Sequence, residues 1–225
     1  MNSNTLLPVH CSITPLTIIN SPIAYGQKGL MPIAIIDVDN TLWDFATQLS
    51  LLFEKRRLAI PHWSKWNKWD FYKEYMPDKQ FKELVATIHR NQRFHKPFKG
   101  ASKLLSFLFK QNIIVYVISH RKQEFLEPLK QYLYKYDLPC DKITCSYNDK
   151  FSFIGEGEVC EWVIDDSPIV LERALELGIK NIMGLRYPWN EYLKNKVKLF
   201  DSMEEMNAYI QFKYLFSKGE NNGSK

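Results

Sequence analysis

Apolar residues along the chain fall into short dense runs, separated by stretches in which they recur every three or four positions. Four runs are rich in β-branched side chains: Pro32-Ile33-Ala34-Ile35-Ile36, residues 113–118 (Ile-Ile-Val-Tyr-Val-Ile), residues 161–164 and, more weakly, residues 180–183. Runs that are apolar at every position, not at alternate ones, suit strands buried on both faces, as in parallel sheets. Between them, helical periodicity covers 101–111, 122–136 and 168–177. Gly100 precedes the first of these, and Ser167-Pro168 opens the last with a cap and a first-turn proline. This alternation predicts an α/β fold, a Rossmann-like parallel sheet with helices on both faces.

Residues 42–97 break the alternation. They offer helix-like stretches near 42–58, 65–75 and 79–91 and no good strand, so a helical cap inserted after strand one is expected there. The other boundaries follow: an α/β core from 31–41 and 98–215, an atypical N-terminal extension at 1–30, and a flexible tail at 216–225. Residues 1–36 carry a single charged side chain, Lys28, and Pro8, Pro15 and Pro22 break up any stretch resembling a secretory signal. Met31 stands directly before the first strand, and a chain beginning there is expected to keep its fold.

Composition narrows the class. With 225 residues, 45% hydrophobic and 24% charged, the chain can bury one sizeable core plus an insertion, which excludes a disordered polyelectrolyte or a collagen-like fibre. The four cysteines, Cys11, Cys140, Cys145 and Cys160, are too few for a disulfide scaffold and lack zinc-knuckle spacing, so they read as reduced thiols. No run approaches the roughly 20 apolar residues that cross a bilayer, and a soluble, cytoplasmic protein with no membrane partner is expected. The net charge is only +5, but residues 51–110 hold 14 Lys and Arg against 5 Asp and Glu. Such a surplus is either a solvated helical face or a lobe that attracts an anionic, phosphorylated substrate.

The chemistry gathers at strand ends. The first strand closes in Asp37-Val38-Asp39-Asn40-Thr41, and side chains two apart on extended backbone point the same way. Two carboxylates therefore converge at the carboxyl end of a strand, where open α/β sheets place their ligands. A second run, Cys160-Glu161-Trp162-Val163-Ile164, ends likewise in Asp165-Asp166-Ser167-Pro168. Converging carboxylates repel unless a cation joins them, and an all-oxygen site suits Mg²⁺. Strand 113–118 ends in Ser119-His120-Arg121, a hydroxyl with backbone amides able to hold a phosphoryl oxygen at the same rim.

Taken in order, Asp37/Asp39/Thr41, Ser119 and Asp165/Asp166 resemble the signature of the haloacid dehalogenase (HAD) superfamily of phosphotransferases over roughly residues 31–210. The resemblance implies a phosphatase in which Asp37 attacks phosphorus to form an aspartyl-phosphate, while Asp39 protonates the leaving oxygen and then activates water. It implies Mg²⁺ held by Asp37, the backbone carbonyl of Asp39, and Asp165, with Asp166 alongside. It further implies that Thr41, Ser119, His120, Arg121 and a lysine contact the substrate. Lys142 and Lys150 both precede the acidic pair; Lys150 is preferred, 15 residues before Asp165, because Lys142 more naturally starts a strand at Ile143-Thr144-Cys145.

The 82 residues from Asp37 to Ser119 place the insertion after strand one, and in this superfamily a cap there resembles those of enzymes acting on small molecules. Trp63, Trp66 and Trp69, spaced by three, would lie along one side of a helix as core, or one ring, or Phe45, would stack on a nucleobase. His89, Arg90, Arg93 and His95 read as exposed or packing residues and not as metal ligands. Arg186-Tyr187-Pro188-Trp189-Asn190 and Pro97-Phe98-Lys99-Gly100-Ala101 resemble the 5′(3′)-deoxyribonucleotidase branch, although Asn40 stands where many members have Gly. The expected substrate is thus a small phosphorylated molecule, a (deoxy)nucleoside monophosphate. The alternatives are sugar phosphates, nucleic-acid ends or a non-catalytic binding module; nucleic acid is the less expected partner, and the sequence does not set the oligomeric state.

Overall fold

The computed structural model describes residues 30–220, with side chains through residue 214. The extension expected at 1–30 lies, but for Leu30, outside the described residues, as does Cys11. Six strands, β1 (Met31–Ile36), β2 (Ile114–Ser119), β3 (Lys142–Cys145), β4 (Glu158–Ile164), β5 (Asn181–Leu185) and β6 (Lys198–Phe200), form one sheet in the order β3-β2-β1-β4-β5-β6. Every neighbouring pair is parallel, so the expected Rossmann-like α/β fold is the observed one.

The burial of β1 explains its unbroken apolar run. Ala34 and Ile36 belong to the apolar cluster on one face of the sheet, and Ile33 and Ile35 to the cluster on the other. Period-two side chains leave no face for water. Helices α3 (Ala101–Lys110), α4 (Leu126–Lys135), α5 (Pro168–Glu176) and α6 (Met203–Glu220) cover the sheet after α1 (Phe45–Lys55) and α2 (Asp78–Asn91) have formed the inserted segment. Gly100 precedes α3 at φ +96°, a backbone conformation that suits glycine and tightens the entry to the helix. Helix α6 and strand β6 lie beyond the runs picked out in the sequence; β6 has three residues, too few for a pattern. Because α6 continues to Glu220, it runs past the boundary expected at 215.

The two ends of the inserted segment meet. The Phe98 amide donates to the Leu42 carbonyl at 2.8 Å, and Trp43 bridges Pro97 in antiparallel sense. Between them the expected helices at 42–58 and 79–91 appear as α1 and α2, but the one at 65–75 does not. Trp63–Lys65 and Phe71–Glu74 are single 3₁₀ turns. The indoles account for this: Trp63 Nε1 donates to Thr47 Oγ1 at 3.0 Å and Trp66 Nε1 to the Pro61 carbonyl at 2.8 Å, ties that a continuous helix would break. Asn67 and Asp70 are also weak helix formers. Phe53, Trp66, Phe71 and Leu84 of the insertion share one apolar cluster with Ala34 and Leu104, so the sheet's core continues into it. Cys140, Cys145 and Cys160 are free thiols, and no helix among the described residues is long and apolar enough to cross a membrane.

Candidate active site

Strand register brings the acids together. Ile36 pairs with Ile164 across β1 and β4, so the residues that follow, Asp37 and Asp165, emerge side by side at the carboxyl edge. The Asp37 amide donates to the Ile164 carbonyl at 2.9 Å and the Asp165 amide to the Met183 carbonyl at 3.1 Å, extending the ladder to the acids themselves. Gly184 on β5 makes room beside them: a Cβ there would sit 2.1 Å from the Asp165 carbonyl oxygen.

Asp37, Asp165 and Asp166 are buried, and each offers an oxygen within 4.8 Å of the others. Lys150, itself fully buried, reaches between two of them, with Nζ 2.5 Å from Asp37 Oδ1 and 2.7 Å from Asp165 Oδ2. It starts a 3₁₀ turn, Lys150–Phe153, where the Asp149 carboxylate accepts from the Phe151 amide at 3.1 Å. Of the two candidate lysines, Lys150 is thus the one at the acids. Lys142 begins β3, and its Nζ donates to the Phe153 carbonyl.

Three carboxyls facing one ammonium leave the cluster short of positive charge. Burial raises Asp37 to about 7, the Lys150 ammonium pulling it down and Asp165 and Asp39 pushing it up. Asp166 is raised well above the ordinary range, by burial first and then by Asp37 and Asp165. Burial alone would lower Lys150, but Asp165 and Asp37 outweigh it and hold the ammonium charged. An all-oxygen donor set with unbalanced negative charge fits a hard divalent cation such as Mg²⁺, with Asp37, Asp165 and Asp166 to hold it.

Asp39 is turned elsewhere, and its carboxylate is not among the three. Its Oδ1 accepts from Arg121 Nη2 at 2.6 Å and from Trp43 Nε1 at 2.8 Å, while Oδ2 lies 2.8 Å from His89 Nε2. Burial pushes Asp39 up, but the Arg121 guanidinium and His89 outweigh it and hold the carboxyl well below the usual range. His89 is pushed down by burial and by Arg121, against the pull of Asp39. The expectation that His89 is an exposed or merely packing residue is corrected: it is buried on α2 and bonded to the motif. Its only sequence signal is its place beside Leu84 and Ile88 on the buried face of α2, since its partner lies 50 positions away.

The rim residues divide. Asp37, Asp39, Asp165, Asp166, Lys150 and His120 line a cavity of about 340 Å³. Thr41, Ser119 and Arg121 are buried and do not line it. Among the described residues Thr41 Oγ1 has no hydrogen-bond partner, whereas Ser119 Oγ accepts from Arg121 Nε at 2.8 Å. Arg121 spends its remaining fork on Asp39 and on Gln92 Oε1, the latter at 2.6 Å. Asn40, the departure from the common Gly, sits at φ +57°, a left-handed conformation that Asn tolerates. Its Nδ2 donates to Asp166 Oδ2 at 3.0 Å and its Oδ1 accepts from the Ala46 amide.

Trp189 and Asn190, from the Pro-aromatic-Asn element, also serve Asp166: Trp189 Nε1 donates to its Oδ2 at 3.2 Å and Asn190 Nδ2 to its backbone carbonyl at 3.0 Å. The far wall of the cavity is aromatic, with Phe45, Trp66, Trp69, Phe71, Tyr72 and Phe81 from the insertion facing Trp189. Trp66 and Phe71 stack at 3.8 Å, and Tyr72 on Phe81 at 3.7 Å. Trp63 instead packs edge-on to Tyr187.

No protein-family model and no curated protein matches the sequence. Solved structures do match in fold. A HAD family hydrolase from Deinococcus radiodurans R1, with bound phosphate and sodium, superposes at a TM-score of 0.52 with 16% identity, over 81% of this chain and 96% of that one. A predicted phosphoglycolate phosphatase from Haemophilus somnus gives 0.51 with 15% identity, over 82% and 99%. The HAD-hydrolase candidate YfnB of Bacillus subtilis, bound to magnesium, gives 0.51 with 17% identity, over 81% and 99%. The chain therefore shares the α/β fold of HAD-type hydrolases, on a sequence that has diverged from theirs at more than four positions in five.

Proposed function

We propose that the protein is a Mg²⁺-dependent hydrolase of small phosphomonoesters. The observation that carries this reading is the meeting of Asp37, Asp165, Asp166 and Lys150 at one buried edge that opens into a cavity. Asp37 is the nucleophile: its oxygen attacks phosphorus and the ester oxygen leaves. Lys150 sets that carboxylate and offers charge to the phosphoryl oxygens. Asp39 lines the same cavity and handles the proton: in its acid form, reached only when the hold of Arg121 and His89 that keeps it ionised in the free site is loosened, it gives one to the leaving oxygen, and as the carboxylate it then takes one from the water that cleaves the aspartyl-phosphate. Bound Mg²⁺ would supply charge neutralisation between the carboxylates and the transferring phosphoryl group. The aromatic wall excludes water from this step.

Of the rim residues expected to contact the substrate, His120 and Lys150 border the cavity, and they take that role here. Arg121 bonds Asp39 and is itself held by Ser119, while Thr41 is buried away from the cavity. The insertion at 42–97 is the cap, with the two meeting ends at Leu42 and Phe98 as its hinge.

Two substrate classes compete. Six aromatic rings on the far wall favour a flat ring system, as in a nucleoside monophosphate. A small phosphorylated acid is favoured by the name of the phosphoglycolate phosphatase that shares the fold, and a sugar phosphate by that of a β-phosphoglucomutase candidate from Bacteroides vulgatus with the same fold. Phosphate release from nucleoside monophosphates, sugar phosphates and phosphoglycolate, with and without Mg²⁺, tests both. Release from none of them would refute the hydrolase. A kcat/KM for nucleotides at least about tenfold above the rest supports the first class, an advantage of over about 1.4 kcal/mol in the transition state.

The raised acids also predict how metal binding depends on pH. Asp37 and Asp166 hold protons in the folded, metal-free site that the unfolded chain would already have lost, so stability falls as pH rises from about 4 towards about 7. A cation displaces those protons, so apparent Mg²⁺ affinity is expected to climb over the same interval. Titration calorimetry at several pH values checks this, and an affinity independent of pH contradicts it.

A further inference from the structure

Of the three clustered acids, Asp166 is held differently from the other two. Asp37 and Asp165 share the Lys150 ammonium, which bonds Oδ1 of the first and Oδ2 of the second. Among the described residues Asp166 bonds no ammonium, and two neutral donors meet on one of its oxygens: Asn40 Nδ2 at 3.0 Å and Trp189 Nε1 at 3.2 Å, both to Oδ2. A carboxylate oxygen has about two lone-pair sites, so Oδ2 is filled. Oδ1, which bonds nothing among the described residues, is left as the free oxygen. Both donors are fixed in turn. Asn40 sits at φ +57°, and its own Oδ1 accepts from the Ala46 amide at 2.7 Å. Trp189 stacks on Tyr187 at 4.4 Å with the planes 6° apart, and its ring lies 6.3 Å from those of Trp66 and Trp69. The backbone of Asp166 is tied as well, since Asn190 Nδ2 donates to its carbonyl at 3.0 Å. The carboxylate cannot turn both oxygens toward one point without breaking two hydrogen bonds to anchored groups.

We propose that Asn40 and Trp189 are positioning residues that restrict Asp166 to one-oxygen ligation and thereby select Mg²⁺ over Ca²⁺. The inference rests on the metal reading above and deepens it. Mg²⁺ takes about six oxygens in near-ideal octahedral geometry and keeps several waters, which single carboxylate oxygens suit. Ca²⁺ takes roughly six to eight and readily gathers both oxygens of one carboxylate. A second oxygen from Asp166 is therefore something Ca²⁺ would gain and Mg²⁺ would not use, and the two donors withhold it. Asn40 is also where the chain departs from the glycine of many HAD members, and a glycine there would leave Oδ2 with Trp189 alone.

Titration calorimetry of the full-length, metal-free protein with MgCl₂ and, separately, with CaCl₂ tests this without any turnover. Trp189→Phe keeps a ring on Tyr187 and removes the N–H, while Asn40→Gly removes the other donor and accepts the left-handed backbone. Loss of an outer partner of a metal ligand costs about 10- to 100-fold in affinity. Each variant is expected to bind Mg²⁺ about tenfold more weakly. Ca²⁺ should lose less than about twofold, because the freed Oδ2 becomes a ligand for it, so the ratio of Mg²⁺ to Ca²⁺ affinity falls at least about fivefold. If Asn40→Gly does not fold, Trp189→Phe carries the test alone. An unchanged ratio in Trp189→Phe protein that melts at the wild-type temperature overturns the proposal, since a merely structural role weakens both cations alike. Wild-type protein that binds neither cation overturns instead the metal reading on which it stands.

Discussion

Lys150→Met is expected to destabilise the metal-free protein by about 3–5 kcal/mol and to abolish phosphate release. Among the described residues, the ammonium is the one positive charge within hydrogen-bond reach of Asp37, Asp165 and Asp166, bonded at once to Asp37 and Asp165. Removing it leaves two buried carboxylates facing each other with no cation between them, and these must take up protons or unfold the site. The loss is therefore smaller at low pH, where the acids are neutral, and grows as pH rises. Excess Mg²⁺ is expected to restore part of the melting temperature, because a second cation can enter the same cluster. Thermal melts of the variant from pH 5 to 8, with and without Mg²⁺, check both trends. A variant as stable as wild type at every pH would show that Lys150 does not neutralise these acids.

Asp37→Asn has the opposite signature on stability. An amide cannot form the acyl phosphate, so kcat is expected to fall by at least about 10⁴-fold on every substrate. Metal-free stability should hold or rise, because the change takes one charge from a cluster with an excess of carboxyls and keeps an acceptor for Lys150. A melt paired with an activity assay separates the two consequences. A variant with lost activity and a lowered melting temperature would speak for damaged structure and against a missing nucleophile.

Much of this site was legible in the sequence because its pieces sit at strand ends. Buried parallel strands are continuous apolar runs, and a polar residue directly after such a run must emerge at the carboxyl edge. Asp37, Ser119 and Asp165 could be placed from that alone. Lys150 could be preferred over Lys142 because Lys142 opens its own short strand, as the structure shows. What could not be read were contacts between elements far apart in the chain. His89 on Asp39, Arg121 on Gln92 and Trp189 on Asp166 depend on how the insertion and the last loop pack on the sheet, and no local pattern encodes that. The tryptophan spacing misled for a related reason. A repeat of three suits one side of a helix, yet here each indole finds its own partner, Thr47 or Pro61 or the ring of Trp189, and the backbone follows the rings.

The aromatic wall and the acidic edge together also explain why the insertion shares a core with the sheet and does not stand apart from it. Trp66 and Phe71 close the cavity from above, and the same side chains extend the apolar cluster that begins at Ala34 and Leu104. The packing of the insertion on the sheet thus buries apolar surface and supplies two of the hydrogen bonds of Asp39, from Trp43 and His89.

The central claim is that Asp37 becomes phosphorylated. Protein mixed with Mg²⁺ and a small phosphomonoester, quenched in acid within the first turnovers and digested, is expected to yield the peptide containing Asp37 heavier by one phosphoryl group, and the mark should disappear in Asp37→Asn. Active protein whose Asp37 peptide never gains that mass, while substrate is consumed, would contradict the covalent account.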